Sequence, residues 1–319
     1  MESRKIIVYM PAFNEQITIN KVLKSIPEKY QGFNEVELLV VNDGSIDDTE
    51  KEAINAGATV INHYQNRGVG IAFQTAINYA LANKADVLVS IDADGQFDVS
   101  QIAEMILPIV KKQADFCTGN RFHNQRPANM AKVKYLGNSL VSRIVSFVSK
   151  TKIEDASCGF RAYSRDCLFN LNLQGSFTYT HETILDLLHK GYKISQIPVN
   201  VKYFEGRVSR IANNLFVYGF QTSVIIFRCF KDYRPLPFFL TIALSVLVLA
   251  LFMGGFVLVN WFNTGMITPY KSLGFISLSL VGISLVISVL AFLADMLNRI
   301  RENQEKILFL TKKKYFDEN

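Results

Sequence analysis

From Pro235 to Ala294 the chain carries a single charged residue, Lys271. This constrains the fold more than any other feature, because sixty nearly uncharged residues do not fit on the surface of a water-soluble domain. Two runs qualify as spans. Phe238 to Phe262 is broken only by Thr241, Ser245 and Asn260, and Leu273 to Ala294 follows after a short turn with Gly265 and Pro269. Each exceeds the roughly 20 residues a helix needs to cross the hydrocarbon core. An antiparallel transmembrane hairpin is expected, with Trp261, Phe262 and Tyr270 at one interface. The alternative, a hairpin buried in a soluble core, is disfavoured by the polar flanks at spanning distance.

The flanks predict orientation. Arg228, Lys231 and Arg234 precede the first span, and Arg299, Arg301, Lys306 and Lys312 to Lys314 follow the second, whereas the turn holds only Lys271. The positive-inside bias puts both ends, and the large N-terminal part, in the cytoplasm. The first apolar run, Ile6 to Met10, is too short for a signal peptide. The four cysteines (Cys117, Cys158, Cys167, Cys229) have no metal-binding spacing and read as reduced residues. Of the net charge of +6, the segment from Lys202 to Arg234 holds six basic and two acidic residues, or +4. That suits anionic head groups or a phosphate substrate. A nucleic-acid partner would require positive charge spread over the soluble part.

Before the spans, strands and helices alternate. Lys5–Met10, Val36–Val41, Thr59–Asn62, Asp86–Ile91 and Asp115–Thr118 read as strands. Ile17–Ile26, Asp47–Ala56, Gly68–Ala82 and Val99–Lys112 read as helices. This order predicts an α/β fold with an open, mostly parallel, Rossmann-like sheet, whose ligands bind beyond the carboxyl ends of the strands. Three such ends carry polar clusters: Pro11-Ala-Phe-Asn14-Glu15, Asn42-Asp43-Gly-Ser45 and Asp92-Ala-Asp94-Gly-Gln96.

In the third cluster, two carboxylates two residues apart at a strand mouth, with Gln96 adding a neutral oxygen, suit magnesium or manganese. A capped turn explains the same residues without function. Asp43 reads either as a turn residue or as a partner for a base or ribose hydroxyl. Glu15 reads either as a helix N-terminal acid or as a ribose or base contact. Asn66-Arg-Gly68-Val-Gly70 is a weak dinucleotide signal, since Phe73 occupies the third glycine position, and close packing at the start of a helix explains it better.

Together, Pro11 to Glu15, Val41 to Ser45, Asn66 to Gly68 and Ile91 to Gln96 resemble the family 2 glycosyltransferases with the GT-A fold. Asp155-Ala-Ser-Cys-Gly-Phe-Arg-Ala-Tyr163, Phe177-Thr-Tyr-Thr-His-Glu182 and Gly206-Arg-Val-Ser-Arg210 are similar to the branch of dolichyl- and polyprenyl-phosphate sugar synthases. The resemblance implies inversion of the transferred sugar, a nucleotide-sugar donor, a polyprenyl-phosphate acceptor and a divalent metal. Pro11, Asn14, Glu15 and Asp43 would line the nucleotide pocket. Asp92, Asp94 and Gln96 would hold the metal and diphosphate. Arg121 would meet a phosphate, with Lys134 a second contact. Arg207 and Arg210 would close over donor and lipid phosphates, and Glu182 would sit near sugar or acceptor. Phe13 and Phe97 depart from the family, which usually has Tyr at the first position and often has a polar residue at the second. His181 reads as structural.

The expected organisation is a GT-A domain over 1–210 and a juxtamembrane interfacial helix over 211–234, its apolar segment running from Leu215 to Phe230. Two transmembrane helices over 235–294 and a cytoplasmic tail over 295–319 complete it. The tail reads as an amphipathic surface or partner helix, or as an extension of the second span. Two other functions stay open. One is a membrane-bound transferase extending a glycan, which usually has more spans and a Gln-x-x-Arg-Trp motif; here the sole tryptophan, Trp261, lies in a span. The other is a non-catalytic membrane adaptor. An oligomer is compatible with all of these.

Overall fold

A computed structural model describes residues 4–124, 126–173, 179–204, 224 and 235–318. The chain divides into two compact units. The first comprises residues 1–227 together with 308–319, and the second residues 228–307.

The first unit is built on a seven-stranded sheet of order β3-β2-β1-β4-β6-β5-β7. The strands are β1 (Lys5–Ala12), β2 (Glu35–Asn42), β3 (Thr59–Asn62), β4 (Val87–Ser90), β5 (Phe116–Asn120), β6 (Arg161–Ser164) and β7 (Ile194–Pro198). β3, β2, β1 and β4 run parallel, as do β5 and β7, while β6 lies antiparallel between β4 and β5. Ile6 through Met10 are wholly buried, the pattern of a central parallel strand covered on both faces. The helices α1 (Ile19–Lys24), α2 (Thr49–Asn55), α3 (Val69–Ala82) and α4 (Ile102–Val110) are the connections expected from the sequence. α4 begins one turn later than expected, after a short 3-10 turn at Val99–Gln101 capped by Asp98. Because β2, β1 and β4 are parallel neighbours, the three polar clusters emerge side by side along one sheet edge.

Beyond β5 come α5 (Lys132–Ser149), α6 (Arg165–Asn170) and α7 (Thr180–His189). β6 passes directly into α6, whose N-cap is Ser164.

The second unit holds α8 (Pro235–Thr264) and most of α9 (Lys271–Glu318), both long and apolar enough to cross a membrane and mostly exposed along their sides. Ser277 donates to the Ala250 carbonyl and Ser284 to the Ala243 carbonyl, each at 2.8 Å, so the pair is antiparallel. The buried positions recur every seven residues, at Ala243, Ala250 and Val257 facing Ser277, Ser284 and Ala291. Small residues at this spacing let two backbones approach closely where lipid supplies no hydrophobic drive. Gly254 belongs to the same seam: a Cβ there would lie 2.6 Å from the Ser277 hydroxyl.

The second expected span and the tail form one helix. The last turns of α9 belong to the first unit. There Lys312 donates to the Leu171 carbonyl (3.0 Å) and to Asn172 Oδ1 (2.8 Å), Asp317 pairs with Arg165 at 2.8 Å, and Phe309 meets Phe169 edge-on.

Candidate active site

The loops after β1 and β2 are sewn together by short polar bonds. Asn14 adopts a left-handed backbone (φ 55°), a conformation its short amide side chain tolerates. From there its N–H donates to Ser45 Oγ at 2.9 Å, while its Oδ1 accepts from the Ile46 N–H at 2.9 Å. The Glu15 N–H donates to Thr49 Oγ1 at 2.8 Å, and Glu15 Oε2 accepts from the Thr18 hydroxyl. Pro11 stands opposite Val41 where β1 ends.

Asp43 is buried and well satisfied. Its Oδ1 accepts from the Arg67 N–H (3.0 Å) and lies 2.6 Å from His63 Nδ1, and its Oδ2 accepts from the Gly68 N–H (2.8 Å). The carboxylate therefore fixes the start of α3. Gly68 has φ 91°, and Gly44 has φ 78° with its α-carbon so close to the Gln65 backbone that a Cβ would lie 2.5 Å away. The approach of Gly44 to Gln65 and Asn66, with the two Asp43 bonds, holds the start of α3 close against the loop after β2. Three of the roughly four lone-pair sites of Asp43 are in use, which leaves little capacity for a base or ribose hydroxyl.

The loop after β4 contrasts with this. Asp94 Oδ1 accepts from the Gln96 N–H at 3.0 Å, and the Gln96 carbonyl accepts from Lys202. Asp92 is half-buried, and among the described residues no donor hydrogen-bonds its carboxylate. Burial, reinforced by the negative charge of Asp94 and Glu15 and opposed by Arg121 and Lys134, pushes its carboxyl up to about 7. The backbone of Gly159 lies against it, and a Cβ there would be 3.0 and 3.1 Å from the two oxygens. Among the described residues no cluster of three or more His, Cys, Asp or Glu is placed to hold a metal. Two carboxylates and an amide oxygen nonetheless fit magnesium or manganese, which commonly take one or two protein carboxylates and complete their shell with phosphate and water.

Positive charge stands nearby. Arg121 is held by the wholly buried Asp155, with Nε 2.6 Å from Oδ2 and Nη2 2.9 Å from Oδ1, while its Nη1 donates to the Tyr203 hydroxyl at 3.3 Å. Three of its five donors are thereby engaged. Lys134, in the first turn of α5, places Nζ 5.2 Å from the Tyr203 ring centroid. Burial and Arg121 push its ammonium down, while Asp94 and Asp92 draw it back up. Glu182 is half-buried in the first turn of α7. His181 is wholly buried beside Ser157 and held neutral, its imidazole pushed down to about 3 by burial and the charge of Arg161. Arg207, Arg210 and, apart from residue 224, the expected interfacial helix lie outside the described residues.

Sequence reasoning did not single out Gly159, Asp155, His63 or Tyr203. The first two lie in the motif that carried the resemblance, which was a signal without a role. The pairing of Asp43 with His63 spans twenty residues and leaves no local pattern.

A Rossmann-like sheet with an Asp-x-Asp turn beyond β4 defines a glycosyltransferase domain of the GT-A type. The chain belongs to glycosyl transferase family 2, whose sequence profile matches residues 7–169, just over half of its length. Among its relatives is the UDP-N-acetylglucosamine–dolichyl-phosphate N-acetylglucosaminyltransferase of Methanococcus voltae, 29% identical over 234 residues, covering 67% of this chain and 92% of that one. A dolichyl-phosphate hexose transferase of Haloferax volcanii is 28% identical over 192 residues, covering 60% and 80%. The fold matches glucosyl-3-phosphoglycerate synthase of Mycobacterium tuberculosis, solved with Mn2+, UDP and glucosyl-3-phosphoglycerate, at a TM-score of 0.57 and 21% identity over 71% of this chain and 80% of that one.

Proposed function

We propose that this glycosyltransferase moves a sugar, with inversion, from a nucleotide-sugar to a polyprenyl phosphate at the cytoplasmic face of a membrane. The observation that carries this reading is the division of charge at the β4 edge: Asp92 and Asp94 stand within electrostatic reach of Arg121 and Lys134. The acidic pair suits a cation-bound diphosphate, and the basic pair suits a second anion.

Pro11, Asn14, Glu15 and Asp43 build the wall against which the nucleotide lies. Asp92 and Asp94, with the Gln96 amide, would hold a divalent cation, which when bound neutralises the charge that develops on the departing nucleoside diphosphate. A phosphate monoester is already anionic at neutral pH, so its oxygen attacks the anomeric carbon without a strong general base. What it needs is cationic neighbours that stabilise the transferring charge. Lys134 supplies one. Arg121, oriented by Asp155, supplies a fixed positive field and up to two further N–H donors. In this reading Arg207, Arg210 and Glu182 complete the acceptor side.

Three facts support the membrane part of the reading: the two apolar helices, the basic residues that flank them, and the similarity to dolichyl-phosphate transferases. Two spans return the chain to its starting side, which agrees with the last turns of α9 packing within the first unit.

The test is a panel assay. Detergent-purified protein receives each common nucleotide-sugar, polyprenyl phosphate and Mg2+ or Mn2+, and sugar-lipid is measured in the organic phase. Product with one donor establishes both reaction and sugar. Nucleotide release that depends on a glycan acceptor, with no lipid product, would replace this reading with glycan extension. Absence of nucleotide binding with every donor would point to the adaptor.

A further inference from the structure

The segment that follows β7 brings Tyr203 to the site on a pinned backbone. The Val199 N–H donates to the Asn120 carbonyl at 3.1 Å, which ties the segment to the end of β5. The Asn200 N–H donates to Gln101 Oε1 at 2.7 Å. Val201 forms an antiparallel bridge with Phe97, and the Lys202 N–H donates to the Gln96 carbonyl at 2.9 Å. Each residue from Val199 to Lys202 is thus held, the last two by the acidic turn after β4, and Tyr203 is the next.

Its side chain meets two cations at two different poles. The phenol oxygen accepts from Arg121 Nη1 at 3.3 Å, and the ring centroid lies 5.2 Å from Lys134 Nζ. An aromatic face is the negative part of its quadrupole and attracts an ammonium. The two cations oppose each other: burial, and after it the charge of Arg121, push the Lys134 ammonium down. Asp155 answers Arg121 with a full negative charge. Tyr203 holds both cations without adding a second one, because burial pushes its phenol up and keeps it protonated. The pair is also left with capacity. The Arg121 guanidinium has five N–H donors, of which three are engaged among the described residues. Lys134 is half-buried, and among the described residues no acceptor hydrogen-bonds its ammonium. A cation in that state is costly unless an anion from outside the chain compensates.

We propose that Tyr203 is a positioning residue for the acceptor: it holds the Arg121 guanidinium and the Lys134 ammonium together, with their charge intact, so that both converge on one phosphate. This rests on the polyprenyl-phosphate reading of the proposed function. Because its neighbours Val201 and Lys202 are bonded to Phe97 and Gln96, the same residue sets the acceptor's cations at a fixed place relative to the Asp92–Asp94 turn. A phosphate monoester carries more negative charge than the diester it becomes on glycosylation. The clamp therefore grips the acceptor before transfer at least as firmly as during it, and its loss falls on capture of the acceptor and not on the chemical step.

Steady-state kinetics of the full-length protein in detergent separate this role from a structural one. Polyprenyl phosphate is varied at saturating donor, and then the donor at saturating polyprenyl phosphate. Tyr203→Phe keeps the ring and removes the oxygen that Arg121 uses, whereas Tyr203→Leu removes both poles. The KM for polyprenyl phosphate should rise about threefold to tenfold in Tyr203→Phe and on the order of thirtyfold or more in Tyr203→Leu. The kcat and the donor KM should stay within about twofold of wild type. In a Lys134→Met background the ring has no ammonium to hold, so there Tyr203→Leu should lower kcat/KM for the acceptor no more than Tyr203→Phe does. An unchanged acceptor KM in both single variants would overturn the proposal. So would donor and acceptor KM rising together, the mark of a residue that only supports the fold, or an equal loss from Tyr203→Leu with and without Lys134. If the wild-type protein forms no sugar-lipid with any donor, the acceptor reading itself falls and this assignment falls with it, an outcome seen before any variant is compared.

Discussion

Asp43 and Asp92 follow strands β2 and β4, which flank β1 on either side, and the protein treats them in opposite ways. Asp43 is surrounded by donors, two of them backbone N–H groups, and closes the start of α3 onto its own loop. Asp92 has no donor among the described residues, two acidic neighbours and a glycine backbone pressed against it. A half-buried carboxylate without hydrogen bonds is costly unless something outside the chain compensates. The same residue type therefore does architectural work at one strand end and, in the proposed function, is held for a ligand at the other.

Replacing Asp92 should separate the two roles most sharply. Asp92→Asn is expected to lower turnover by about a thousandfold or more, since in the proposed reading the divalent cation loses one of its two carboxylate ligands. The thermal unfolding midpoint should hold or rise, because no hydrogen-bond partner among the described residues is lost. A fall in both would mean that Asp92 is architectural after all. Gly159→Ala should come next, lowering turnover by on the order of tenfold to a hundredfold by displacing the Asp92 carboxylate. Far-UV circular dichroism should be unchanged, and wild-type kinetics in this variant would show that the close approach has no catalytic meaning.

Asp43→Ala should do the reverse of Asp92→Asn. Leaving the Arg67 and Gly68 N–H groups without an acceptor costs about 3 kcal/mol, read as a lowered denaturation midpoint. Any loss of activity should follow from loss of fold. A stable Asp43→Ala protein with weakened nucleotide binding would instead give Asp43 the base or ribose contact.

The smallest effect concerns His181. Its folded imidazole sits near 3 and its unfolded one near 6.5, so the unfolded state binds a proton first as the pH falls. The stability it contributes is complete above 6.5 and is lost progressively toward 3. Lowering the pH from 7 to 5.5 should remove about 1 kcal/mol. His181→Asn should flatten that part of the pH–stability curve, and an unchanged slope would assign the acid sensitivity elsewhere.

The parallel half of the sheet was legible because its strands are short apolar runs that end in Pro, Asn or Asp, and the hairpin because its apolar runs match the bilayer. β6 was not legible. It opens with Arg161, which is fully buried and donates to the Cys158 and Ala156 carbonyls and to Thr183, and no pattern of apolar residues announces a strand built around a guanidinium. α5 escaped for a related reason: its apolar residues point away from the core, so periodicity marks the wrong face. At the site, the acidic turn was visible as a local cluster. The contrast between Asp43 and Asp92 was not, since it depends on His63, Gly68 and Gly159, which lie between twenty and sixty-seven positions away.

The docking of the last turns of α9 changes how this chain must be handled. Sequence order suggests that a soluble fragment could be cut just ahead of the first span. Such a fragment would leave behind Phe309, Lys312 and Asp317, removing the ring that packs on Phe169, the carboxylate that pairs with Arg165 and the ammonium that donates to the Leu171 carbonyl. The folding boundary of the catalytic unit is therefore discontinuous, closing only once residues 308–319 have joined residues 1–227.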